Sequence, residues 1–306
     1  MTLRIAPLRI AMIGLGDIAR KAYLPVLGPR ADLDLVFVTR DAQTLAALGA
    51  AWRVERLHAQ LDTALAEGLD GALVHAATAA HPDIVRRLLE AGVPTLVDKP
   101  LADNAADSEA LVDLAETRGV SLMVGFNRRF APVYRDAAAL GLPLTVMQKN
   151  RADQADHPRR VVFDDFIHVV DTLRFLAPGA GDARVHGRVV DGLLQHVALS
   201  LSGDGRDALG VMNRVSGANE ETLEVSGEVS GAGAKRRIVD MAQVVDQSAQ
   251  DHLTRRGDWT PVGRQRGFEG LCDHFLSAVR DGRRLSALDA LGTHRLCETV
   301  VRALDA

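Results

Sequence analysis

From Ile10 to about Gly125 the chain alternates short apolar runs with segments whose apolar residues return every three or four positions. That rhythm predicts βαβ units around a parallel sheet. Leu8–Ile13 reads as the first strand, followed by a helix carrying Ile18, Ala22 and Leu24 until Pro25 disturbs it. Strand Leu33–Val38 leads into a helix opened by Asp41. Strand Gly71–His75 leads into a helix from Pro82 that stops at Gly92, where Pro94 blocks continuation. Strand Thr95–Val97, helix Ala105–Arg118 ending at Gly119, and strand Ser121–Val124 complete the series. The string Gly125-Phe126-Asn127-Arg128-Arg129-Phe130 follows.

Beyond Pro143 the pattern changes. An extended segment runs to Arg151, then a polar loop with Asp156, His157 and Pro158, then a helix over about Phe163 to Leu176. Val185–Val190, His196–Ser202, Ala208–Val215, Thr222–Ser226 and Lys235–Asp240 read as strands separated by Gly, Asn and Asp, which suits hairpins of a mostly antiparallel sheet. Helices near Phe268–Arg280 and Leu288–Leu304 close the chain. Its 306 residues are enough for two cores. The expected fold is therefore α/β: a doubly wound parallel Rossmann sheet over 1–125, and a C-terminal α+β domain over 126–306 built on a mostly antiparallel sheet.

Charge narrows the partners. The balance of 36 Lys+Arg against 40 Asp+Glu leaves a net −4 and gives no electrostatic case for nucleic acid. Lys235-Arg236-Arg237 and Arg159-Arg160 read as solvated surface. No run reaches the ~18 apolar residues of a membrane span. The opening MTLRIAPLRIAMIGLG has no long apolar stretch before a small-residue cleavage site and reads as cytoplasmic. Cys272 and Cys297 fit neither a disulfide framework nor a metal cluster, so they are expected as small core residues and no metal is expected.

Gly14-Leu15-Gly16-Asp17-Ile18-Ala19 fits G-x-G-x-x-A at the first strand-to-helix junction. Small residues there let the backbone approach a pyrophosphate, and the helix N-terminus offers it free N–H groups. The second strand ends in Val38-Thr39-Arg40-Asp41 instead of the acid usual for NAD. A hydroxyl and a guanidinium suit a 2′-phosphate, which favours NADP with NAD as the alternative. Asp41 reads equally as a ribose ligand or as a helix N-cap.

Val97-Asp98-Lys99-Pro100 ends a strand at the carboxyl edge, where ligands of such sheets gather. Lys99 reads as a surface charge or as a donor to a substrate oxygen beside a nicotinamide. On the later helix Asp164 and His168 lie four apart on one face, either as a surface hydrogen bond or as a carboxylate-oriented general base. Asp165 is expected to help start that helix, Asp171 to bond outward from the next turn, and His75 to be a satisfied strand residue. Lys149, Arg151, His157 and Arg160 read as an exposed charged segment or as substrate contacts.

Asp98-Lys99-Pro100 resembles the Glu-Lys-Pro signature of the glucose-fructose oxidoreductase/inositol dehydrogenase/rhizopine catabolism (Gfo/Idh/MocA) family, and Asp164-x-x-x-His168 resembles its second-domain Asp-x-x-x-His motif. The strings Val97 to Ala102, Met123 to Pro132 and Asp164 to Asp171 look closest to its MviM virulence-factor branch. The resemblance implies Lys99 and His168 as the substrate-facing pair and Asp164 as the group orienting His168 or bonding a neighbouring hydroxyl. It puts the nicotinamide ribose near Asp98 and makes Thr78, His81 and Asn127 candidates to touch the cofactor. Two positions depart from the family pattern: Asp98 stands for Glu, and Thr78 for a common Asn.

The expectation is thus an oxidoreductase moving a hydride between NADP and a secondary alcohol of a sugar, cyclitol or related polyol. One rival keeps these residues for transient oxidation in an NAD-dependent glycosidase. Another is a non-catalytic dinucleotide-binding sensor or scaffold. The open face of the antiparallel sheet, which in the resembled family commonly meets a second subunit, implies a homo-oligomer, with a dimer expected.

Overall fold

The computed structural model describes residues 6–248 and 250–305. Of the opening stretch read above as cytoplasmic, residues 1–5 lie outside them. The chain forms two compact units. The first runs to Gly125 and takes in Phe268–Leu291. The second holds Phe126–Gly267 and the chain from Gly292. The sequence reading assigned Phe268–Leu291 to the C-terminal domain; its helix Phe268–Arg280 instead buries Leu271, Phe275 and Leu276 in the first unit, where Phe275 packs beside Gly71.

In the first unit six strands are ordered β3-β2-β1-β4-β5-β6, all parallel: β1 Leu8–Ile13, β2 Leu33–Val38, β3 Arg56–His58, β4 Gly71–Val74, β5 Thr95–Val97 and β6 Leu122–Val124. This is the doubly wound order whose switch point lies between β1 and β4. The central strands are buried along nearly their whole length, as expected where helices cover both faces. Pro25 does not end the first helix. The helical stretch 17–27 continues through a π-turn at Ala19–Tyr23. The wider turn accommodates the hydrogen bond that proline cannot donate.

The second unit carries an eight-stranded sheet ordered β14-β13-β12-β11-β7-β10-β9-β8. Its strands are β7 Leu144–Asn150, β8 Asp182–Val190, β9 Leu193–Gly203, β10 Arg206–Asn213, β11 Glu220–Val229, β12 Ala232–Val239, β13 Gln243–Gln247 and β14 His252–Arg255. Every pair is antiparallel except β7 with β10. Helix Ile167–Leu176 covers one face. The fit is close enough that a Cβ on Gly210 of β10 would sit 2.5 Å from Val169 Cγ1. Thr145, Met147 and Lys149 of β7 are buried, whereas Leu209 of β10 is 38% exposed. No helix among the described residues is long and apolar enough to cross a membrane.

Candidate active site

The turn after β1 is built around Gly14, whose φ of +83° suits glycine and whose Cβ would stand 2.5 Å from the backbone nitrogen of Ala76. The fold itself therefore demands glycine there. Gly16 differs: a Cβ on it would meet nothing within 4 Å. Packing does not require glycine at that position, but a backbone that must admit a phosphate does. A cavity of about 880 Å³ opens over this turn, walled by Gly14, Leu15 and Gly16, by Thr39 and Arg40 after β2, and by His75, Ala76 and Ala77 after β4. Its size, its glycine floor and the adjoining helix start fit a dinucleotide.

Asp41 acts as the N-cap of helix Ala42–Trp52: its Oδ1 accepts from the Thr44 backbone N–H at 2.6 Å, a bond that holds the carboxyl below its usual range. Thr39 and Arg40 line the cavity as expected, joined by Arg20, Gln60 and Asp62, which the sequence reading missed. Arg20 lies four residues past Gly16 in the helical stretch, a legible signal. Gln60 and Asp62 follow β3, a strand not anticipated.

Among the other expected cofactor contacts, Asp17 pairs with Lys21 at 2.8 Å, Ile18 is exposed and Ala19 is buried. Thr78 opens a short 3-10 turn outside the cavity wall. His81 is buried, with Nδ1 2.8 Å from the Pro100 carbonyl oxygen and Nε2 2.9 Å from that of Ala76. Asn127, in the second unit, donates to the Arg266 carbonyl at 2.7 Å. His75 corrects the expectation of a satisfied strand residue. It is 4% exposed and neither ring nitrogen has a hydrogen-bond partner. Its ring lies 4.0 Å from that of Tyr23, and burial, helped by His81, drags its pKa down to about 3.

Asp98 and Lys99 follow β5 at the carboxyl edge, and the Lys99–Pro100 peptide is cis. The Tyr23 hydroxyl donates to Asp98 Oδ1 at 3.2 Å. Burial raises the Asp98 pKa despite the opposing charge of Lys99. Gly125 makes this pair possible, since a Cβ there would stand 2.9 Å from the Tyr23 hydroxyl.

In the second unit the helix begins at Pro158, earlier than the expected Phe163. It passes through a π-turn at Val162–Phe166 before continuing as Ile167–Leu176. Over residues 162–170 the apolar side chains are buried, and only Asp164, Asp165 and His168 escape full burial. Asp164 lies 3.7 Å from Arg160. Asp171 bonds away from its own helix, but within the core: it is 1% exposed and gripped by Arg129 through two bonds of 2.9 and 2.6 Å, with Thr293 adding a third. This clamp fixes the helix one turn past His168.

Asp165 does not serve as a helix start. Its carboxylate meets Lys149, Arg151 Nε at 3.0 Å and Arg214 Nη1 at 2.7 Å. Burial would raise its pKa, but Lys149 and the two guanidiniums reverse this and bring it to about 2. Burial, aided by Arg128, lowers the Lys149 pKa to about 7. Alongside, Arg128 holds Glu221 through bonds of 2.9 and 2.6 Å, and the Tyr134 hydroxyl donates to the same carboxylate at 2.9 Å. Against the opposing effect of burial, Arg128 brings Glu221 to about 2. Lys149 and Arg151 are thereby committed to a buried ionic network.

Residues 8–126 match the profile of an oxidoreductase family with an NAD-binding Rossmann fold. The protein YceM of Salmonella typhimurium is 35% identical over 90% of both chains. The myo-inositol dehydrogenase Hyg17 of Streptomyces leeuwenhoekii is 41% identical over 42% of this chain and 40% of its own. Among solved structures, a Gfo/Idh/MocA family oxidoreductase from Vibrio cholerae superposes with a TM-score of 0.90 at 31% identity, covering 97% of this chain and 98% of its own. The dehydrogenase MviM from Clostridium difficile superposes at 0.89 and 27% identity, covering 97% and 99%.

Proposed function

Because this chain belongs to the Gfo/Idh/MocA oxidoreductase family, we propose that it moves a hydride reversibly between NADP and a secondary alcohol carbon of a sugar, cyclitol or related polyol. The bound nicotinamide supplies the hydride acceptor or donor. Lys99 donates a hydrogen bond to the reacting oxygen and favours its alkoxide character. His168 takes the hydroxyl proton, and Asp164 orients its ring. The observation that carries this reading is the position of Lys99, at the carboxyl end of β5 and next to β4, whose end walls the nucleotide cavity.

Arg20, Arg40 and Thr39 around one end of that cavity support NADP, because two guanidiniums and a hydroxyl suit a 2′-phosphate. Asp41 lines the same cavity but its Oδ1 is engaged as a helix cap. The inositol dehydrogenase among the relatives supports a polyol substrate. The exposed Leu209 on the open sheet face supports a homodimer through that face. The test is a screen of cyclitols and sugars with NADP, followed by Lys99→Met and His168→Ala on the polyol that turns over. Each variant is expected to lose about a hundredfold or more in kcat. Unchanged turnover in both sinks the assignment.

A further inference from the structure

His81 opens helix His81–Glu90 and is 2% exposed. Both of its ring nitrogens face backbone carbonyl oxygens, those of Pro100 and Ala76. A carbonyl oxygen accepts and cannot donate, so each contact requires an N–H on the ring. A neutral imidazole has one N–H and would set a nitrogen lone pair against the second oxygen at under 3 Å. The doubly protonated ring satisfies both. The two carbonyls also belong to the two loops that matter: Pro100 follows Lys99 directly, and Ala76 is the residue against which Gly14 is packed.

We infer that His81 is a positioning residue for Lys99: donating from both ring nitrogens, it ties the turn carrying Lys99 to the loop that walls the nucleotide cavity. This rests on the reading of Lys99 as a substrate-facing group. The surroundings agree with a charged ring. Asp98, at the end of β5, places a carboxyl next to the Lys99–Pro100 peptide whose carbonyl oxygen the ring meets. His75, at the end of β4, is held neutral by burial. On its own helix Asp83 points to solvent and pairs with Arg87. The helix Ala105–Arg118 packed alongside buries Ser108, Leu111, Val112 and Ala115, none of them charged. Such a strut fixes a lysine without touching substrate, and small displacements of a catalytic group are costly.

The decisive measurement is a 15N-histidine NMR spectrum of the full-length protein near neutral pH. Both His81 ring nitrogens are expected to carry a proton, and a single N–H overturns the inference. In parallel, His81→Gln is expected to keep NADPH affinity within about twofold while kcat falls about tenfold to a hundredfold at a nearly constant KM. A folded His81→Gln with wild-type kcat refutes the strut. So does one that loses cofactor affinity with kcat intact, since that marks a cofactor ligand. If His81→Gln does not fold, the spectrum of the unmodified protein decides alone. Failure of Lys99→Met to affect turnover would strike the reaction itself and leave the two N–H signals in place.

Discussion

His75 carries a cost that can be read out by acid. Its ring is buried against Tyr23 with both nitrogens unpartnered, and its pKa is brought to about 3. In the unfolded chain a histidine titrates near 6.5. Between those values the unfolded state binds a proton that the folded state refuses, so stability falls as pH drops from about 6.5 toward 3, by up to about 1.4 kcal/mol per pH unit. From pH 7 to pH 5 this one residue removes about 2 kcal/mol. In His75→Phe the term vanishes, because phenyl cannot protonate. The variant also sheds two unsatisfied polar atoms, so at neutral pH it gains about 1–3 kcal/mol if the ring packs without strain. Urea unfolding followed by tryptophan emission reads the right unit. Trp52 ends helix Ala42–Trp52 in the first unit, while Trp259 is already 96% exposed and changes little. The quantity to compare is the pH dependence of stability in the two proteins, in which all other titrations cancel. Parallel curves from pH 7 to pH 5 would refute the argument, as would a His75 resonance that titrates above pH 5.

Three further outcomes follow from the same geometry. Arg40→Ala is expected to weaken NADPH binding about tenfold and to leave NADH within about twofold, by fluorescence titration; equal losses would remove Arg40 from the 2′-phosphate. Glu221→Gln strands the buried Arg128 charge and is expected to destabilise the protein by about 3–5 kcal/mol in thermal unfolding. Glu221 and Asp165 are both held near 2, so their contribution is present above about pH 4.5 and lost as pH falls through 2, and the variant should lose one proton from that acid slope. Light scattering should show a dimer that Leu209→Glu converts to monomer, and a monomeric parent protein would reject the sheet-face interface.

The Rossmann half was legible because its strands are buried on both faces, which leaves continuous apolar runs that glycine and proline punctuate. β3 escaped for the opposite reason. Arg56-Leu57-His58 is a three-residue edge strand with two polar members, and edges are often short and charged. Missing it also hid Gln60 and Asp62 in the cavity wall. The return of Phe268–Leu291 to the first unit is a tertiary choice that local periodicity does not encode. Pro25 was a correct signal of disturbance, but the chain absorbs it as a π-turn.

The ionic network has a local signal in the sequence. Thr145, Met147 and Lys149 share one parity along β7, and side chains two apart on a strand point to the same face. A lysine in phase with residues facing the covering helix must be buried, and a buried ammonium calls for an acid from that helix. Asp165 is that acid, drawn to the sheet by Lys149 and two arginines. Which of two adjacent aspartates is structural is thus decided by the strand parity of Lys149, far earlier in the chain. With Asp165 held inward, Asp164 is the exposed carboxylate of the pair, while His168 one turn on is half-buried. The Asp-Asp pair therefore divides the work: one carboxylate anchors the π-turn to the sheet, and the other is presented from it.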